Sequence, residues 1–153
     1  MKSILDRPDM NCQPYFMHFV FEAMDKAGLF LSEATKQLDR WKIVSDTQSF
    51  HEMWTVGDLS HAWNATPMYQ MSGRILGITP TKPGFKEFII NPHFVGLGWA
   101  KGKIPTPLGT ISISWKSVGG QLKVEFSVPN GAKARFGSKA FGQGEHRLSI
   151  PLQ

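Results

Sequence analysis

Between residues 13 and 27 apolar side chains return every third or fourth position, at Phe16, Phe19, Val20, Ala23, Met24 and Ala27. That is the spacing of one helical face, and Gly28 follows as its C-terminal stop. Ser32 reads as the N-cap of a second helix, with Glu33 in the first turn and Ala34, Leu38 and Trp41 along one face. A third helical stretch runs from about Leu59 to Leu76 through Trp63, Met68 and Met71, and closes at Gly77. Pro67 should bend or divide it, because proline removes a donor and restricts Thr66 before it. Past the Pro- and Gly-containing segment 79–84 the period drops from 3.6 to 2. Residues 87–91, 99–104, 110–115 and 122–128 read as strands, with shorter ones at 132–136 and 146–150 on either side of the Gly-rich run 137–144. Gly119-Gly120 supplies a hairpin turn.

The pattern divides the chain into an irregular N-terminal segment (1–12), a helical part (13–78) and an antiparallel, jelly-roll-like β-sandwich (79–153). Pro105 and Pro107 suit a sheet edge that must not pair with other chains. Three helices rich in Phe, Met and Trp carry more apolar surface than they can bury on one another. They should therefore expose a large contiguous apolar patch that a partner, or a second copy, would cover.

Composition narrows the chemistry. The net charge of +5 resolves into −2 over residues 1–81 and +7 over residues 82–153. The basic residues of the second half are spaced singly and form no run of five, so they read as solvated strand faces and not as a nucleic-acid footprint. Cys12 is the only cysteine, which excludes an internal disulfide and any zinc site of several thiolates. His51 and His61 are too far apart for one helical turn, so neither a metal nor a cofactor is implied. No apolar run is long enough for a membrane span, and residues 1–12 lack the apolar core of a secretory signal, which leaves the compartment open.

The densest chemistry lies in Phe50-His51-Glu52-Met53-Trp54, followed by Ser60-His61-Ala62-Trp63. Indole faces stack on the C–H face of a pyranose, and a carboxylate beside them can activate water. An isolated Glu between aromatic residues is ordinarily a surface or structural residue. Asp39, Asp46 and Asp58 are the nearby carboxylates, and Asp58 reads as an N-cap for the third helix. Trp41 and Trp63 sit at helical spacing and read as core anchors; Trp115 lies in a clean alternation and reads as core too, whereas with Trp99 it could instead form an aromatic platform.

In order and spacing, these strings resemble the C-terminal end of the α-L-rhamnosidases, glycoside hydrolase family 78. Phe-His-Glu-Met-Trp is similar to the family's segment bearing a catalytic glutamate, and Ser60-His61-Ala62-Trp63-Asn64-Ala65-Thr66-Pro67 to its next barrel helix. Ile75-Leu76-Gly77-Ile78, Ile90-Asn91-Pro92, Leu97-Gly98-Trp99-Ala100-Lys101-Gly102 and Pro105-Thr106-Pro107-Leu108-Gly109 are similar to its junction and terminal β domain. The resemblance implies the last helices of an (α/α)6 barrel followed by a β-sandwich, and inverting cleavage of terminal α-L-rhamnosides. In that chemistry an acid protonates the leaving oxygen while a second carboxylate, roughly 6.5 to 9.5 Å away, deprotonates water. Glu52 matches the general base and His61 a sugar-binding residue; Trp54 is placed as a subsite wall and His51 as a further contact or loop support. The family's general acid lies upstream of the matching segment and has no counterpart here, so the chain alone is expected to be inactive. The alternative is a non-catalytic carbohydrate-binding or structural β-sandwich with a helical packing partner.

Overall fold

The computed structural model describes residues 2–5, 12–43, 48–54 and 56–151. Residues 6–11 and Asp46, both considered above, lie outside these. The chain forms two compact units, Met1–Gln70 and Met71–Gln153.

In the first unit a short helix α1 (Lys2–Leu5) lies inside the segment expected to be irregular. Helix α2 (Met17–Lys26) ends at Gly28, where φ is +68°. The amide of Gly28 donates to the Asp25 carbonyl and that of Leu29 to the Met24 carbonyl, so a Schellman motif closes the helix as its sequence indicates. The buried stripe differs from the expected one: Met17, Phe21 and Met24 face inward, whereas Phe16 and Phe19 are about half exposed. The helix is apolar around most of its circumference, and period alone does not say which stripe the neighbouring helix covers. Helix α3 (Phe30–Leu38) begins two residues before the expected cap. Ser32 lies within the first turn, its hydroxyl donating back to the Leu29 carbonyl. Glu33, almost fully buried, has Lys2 Nζ at 3.6 Å, and Gln37 donates to the Leu5 carbonyl. A 3₁₀ turn (Asp39–Ile43) then carries Trp41 into the core.

The third helical stretch begins later than expected and changes winding along its length. A 3₁₀ turn at Ala62–Ala65 gives way to α4 (Thr66–Gln70), and a π turn at Met71–Ile75 opens the second unit. Pro67 stands at the second position of α4, where its missing N–H needs no helical partner. The proline thus starts the α-helical segment.

The second unit contains β1 (Ile78–Pro80), β2 (Glu87–Ile90), β3 (Trp99–Thr106), β4 (Gly109–Val118), β5 (Gln121–Val128), β6 (Lys133–Phe136), β7 (Lys139–Phe141) and β8 (Gly144–Pro151). They form two four-stranded sheets, β1-β2-β6-β7 and β3-β4-β5-β8. The second is wholly antiparallel, but in the first β2 runs parallel to β6, so the expected all-antiparallel sandwich is corrected at that pair. Strands β1 and β7, three residues each, are too short to show a period of 2 in the sequence.

The inward faces carry Phe88, Ile90, Ile111, Ile113, Trp115, Leu122, Val124, Phe126 and Ala134, all buried. Trp115 is only 2% exposed, and its indole N–H is satisfied by the Ile75 carbonyl at 2.9 Å. Gly119 and Gly120, at φ of +58° and +72°, form the left-handed turn joining β4 to β5. Pro105 falls on β3, an edge strand, as its missing donor requires. At Gly77, φ is +78° and a Cβ would lie 2.2 Å from the Asn91 carbonyl carbon. Its own carbonyl accepts from Asn91 N at 2.8 Å, so the close approach of two backbones demands glycine there.

Candidate functional site

The segment from Gln48 to His61 folds back on itself. His51 and Leu59 form an isolated antiparallel bridge, His61 N donates to the Phe50 carbonyl at 3.0 Å, and Glu52 N donates to the Asp58 carbonyl at 3.0 Å. Gly57, at φ of +95°, lies so close to Glu52 that a Cβ would sit 2.7 Å from the glutamate Cβ. Glu52 is thereby placed at the head of a tight hairpin, with its carboxylate half-buried over a residue that must stay small. Ser60 adopts φ of +59° and its amide donates to the Ser49 hydroxyl, so a left-handed turn delivers His61 directly after the hairpin.

Asp58 occupies a backbone position in this hairpin and is not a helix cap. The following turn starts at Ala62 with His61 as its N-cap residue. Asp39 pairs with Lys42 on the surface at 2.8 Å. Neither carboxylate is presented by a motif like that around Glu52.

Asn64, fully buried, ties the hairpin to the helices. Its side-chain amide donates to the His51 carbonyl at 2.8 Å, its side-chain oxygen accepts from the Trp41 indole, and its backbone carbonyl accepts from the same N–H at 2.9 Å. An amide is the side chain able to donate and accept at once in this way. Asn64 stands in the quoted sequence, but only the fold reveals it as the anchor.

Trp54 is largely committed to protein contacts. Its indole N–H donates to the Cys12 carbonyl at 2.6 Å, its ring meets Trp41 edge to face at 4.7 Å, and the Arg40 guanidinium lies 4.4 Å from its centroid. Burial pushes the Arg40 pKa down and the nearby Cys12 thiol up, the latter opposed by the Arg40 charge. Trp63, expected in the core, is instead 54% exposed, with its ring 4.9 Å from His61 and 5.1 Å from Tyr15. Exposed Tyr15, Phe16, Phe19 and Tyr69, joined through His18, continue this aromatic surface.

The ring nitrogens Nδ1 of His51 and His61 are both shielded from solvent and make no hydrogen bond among the described residues. Two such imidazoles, one adjoining Glu52 in sequence and one paired with an open indole face, leave hydrogen-bonding capacity for a polar ligand. Among the described residues no group of three or more His, Cys, Asp or Glu side chains could hold a metal ion.

Comparison with known proteins gives this arrangement a context. Residues 77–137 match the bacterial alpha-L-rhamnosidase C-terminal domain. An alpha-L-rhamnosidase of Alteromonas sp. (strain LOR) is 36% identical over 104 residues, covering 67% of this chain and 11% of the relative. The crystal structure of the GH78 family rhamnosidase of Bacillus sp. GL1 superposes with a TM-score of 0.70 at 25% identity, over 88% of this chain and 16% of that one. The Streptomyces avermitilis alpha-L-rhamnosidase, solved with L-rhamnose, does so with a TM-score of 0.61 at 18% identity, over 72% and 14%. The chain therefore matches a C-terminal part of α-L-rhamnosidases, as its motifs lead one to expect. It spans about a tenth of the curated relative's length.

Proposed function

We propose that this chain is the base-bearing part of an inverting α-L-rhamnosidase, with Glu52 as the general base and His61 as a contact to the rhamnose ring. The observation that carries the reading is the hairpin geometry. Glu52 is held between its own backbone bond to Asp58 and the close approach of Gly57, at a half-buried position where a carboxylate can take a proton from water. His61 follows on the closing strand with an unused ring nitrogen. The exposed indole of Trp63 is better placed than Trp54 to stack on a sugar, because Trp54 has its N–H engaged and its ring in contact with both Trp41 and the Arg40 guanidinium.

The leaving oxygen must receive a proton from a second carboxyl group, and neither Asp39 nor Asp58 is built for that role. We assign the acid to further helices of an (α/α)6 barrel. The aromatic surface of Tyr15, Phe16 and Phe19 supports this assignment, because its exposed rings are of the size and polarity that helix packing buries. Release of nitrophenol from 4-nitrophenyl α-L-rhamnoside tests the reading. A longer protein joining this chain to such helices should turn over, and Glu52→Gln should lower kcat by about 10² to 10⁴. Full activity in the Glu52→Gln variant would refute the assignment. The other class of function, a purely non-catalytic module, requires the longer protein to be inert towards the rhamnoside.

A further inference from the structure

The outer face of the β3-β4-β5-β8 sheet carries an arrangement that rhamnoside cleavage does not use. Trp99 stands at the start of edge strand β3 and is 66% exposed. Directly across from it on β4 is Lys116, and across from Lys116 on β5 is Lys123. Lys101 lies one step along β3 on the same face, opposite Ser114, which in turn faces Glu125. Strands about 4.8 Å apart put the indole and the two ammonium groups side by side in one row. Together with Ala100 these residues line a shallow depression in the sheet surface.

Two features set this row apart from an ordinary solvated strand face. Like charges directly opposite one another on neighbouring strands destabilise a sheet, yet Lys116 faces Lys123. The nearest acid on the face, Glu125, is engaged by Arg147 at 3.1 Å, and neither Lys101, Lys116 nor Lys123 has an ion-pair partner among the described residues. The indole beside them is left open to water although the buried side chains on the inward face of the same strands are apolar.

We infer that this row is a binding surface for an acidic polysaccharide. The Trp99 face would stack on one sugar ring, and Lys116 and Lys123, with Lys101 at the flank, would take carboxylate or sulfate groups on the neighbouring units. A single indole beside three closely set cations suits a chain bearing one anionic group per sugar. A nucleic-acid footprint would ask for a longer basic stripe, and Glu125 and Glu145 interrupt any such stripe here. The inference goes beyond the rhamnosidase reading and rests on it only for the choice of sugar over other anions. Binding is measured without reference to Glu52, so failure of one leaves the other standing.

Isothermal titration calorimetry of the 153-residue chain with sodium polygalacturonate, and with a neutral galactan in parallel, provides the test. Polygalacturonate should bind and galactan should not. Trp99→Ala and the double variant Lys116→Ser/Lys123→Ser should each weaken binding about tenfold, with the thermal midpoint showing that both remain folded. Absence of binding to polygalacturonate at low salt would overturn the proposal, and so would wild-type affinity in either variant or equal binding of galactan. Tighter, equally Trp99-dependent binding of a single-stranded DNA oligonucleotide would overturn it as well, in favour of a nucleic-acid surface.

Discussion

A few side chains hold the hairpin that presents Glu52, and Asn64 is chief among them. Its amide bridges the His51 carbonyl and the Trp41 indole in a buried setting, so removing it takes a donor from the His51 carbonyl and leaves the Trp41 N–H only the Asn64 backbone carbonyl. Asn64→Ala should cost about 1 to 3 kcal/mol, measured by chemical denaturation. Gly77 is as restricted for a different reason: any Cβ there meets the Asn91 backbone at 2.2 Å. Gly77→Ala should destabilise the second unit by about 3 kcal/mol or more, since neither backbone can withdraw without breaking their hydrogen bond. Glu87 shows the electrostatic side of the same scale. A 2.7 Å hydrogen bond from Lys82 holds its carboxyl below the ordinary range, and the charges of Lys82, Lys133 and Arg135 add to this. A depressed carboxylate contributes stability above its unfolded pKa and loses it as the pH falls through the folded value. Lys82→Ala should therefore raise the Glu87 pKa in an NMR titration and flatten that part of the acid limb.

Among the elements, the sheet β3-β4-β5-β8 was the most legible in the sequence. Its strands alternate cleanly because one face packs inward and the other meets solvent, so residue polarity reports burial directly. The same alternation places Lys116 opposite Lys123, and this pair can be relieved. Lys123→Glu should stabilise the sheet by about 0.2 to 1 kcal/mol in thermal unfolding while weakening polysaccharide binding about tenfold. The helices are less legible. The sequence marks helix α2 and its glycine stop but not its inward stripe, because Phe16 and Phe19 are as apolar as Met17 and Phe21. Spacing alone puts Trp63 in the core, whereas the late start of the turn at Ala62 moves it into the open. The parallel pairing of β2 with β6 joins strands distant in the chain, and no local signal encodes it.

For the molecule as a whole, the aromatic surface of the first unit predicts how the chain behaves alone. Exposed Tyr15, Phe16, Phe19, Trp63 and Tyr69 should drive self-association, visible as a mass that rises with concentration in analytical ultracentrifugation. Replacing Phe16 and Phe19 by Ser should reduce it without loss of helix content, because neither ring is in the core.

Local chemistry, by itself, determined where helices give way to strands, which residues turn the chain and which string bears Glu52. Each of these depends on neighbours in sequence: the period of apolar positions, the φ freedom of glycine, the fixed φ of proline. Tertiary structure alone decided which indoles are buried and which are open, that Asn64 anchors the hairpin, and that Trp99, Lys116 and Lys123 stand in one row. Those facts depend on strand register and helix packing, which bring together residues far apart in the chain, and a one-dimensional pattern carries no measure of that proximity.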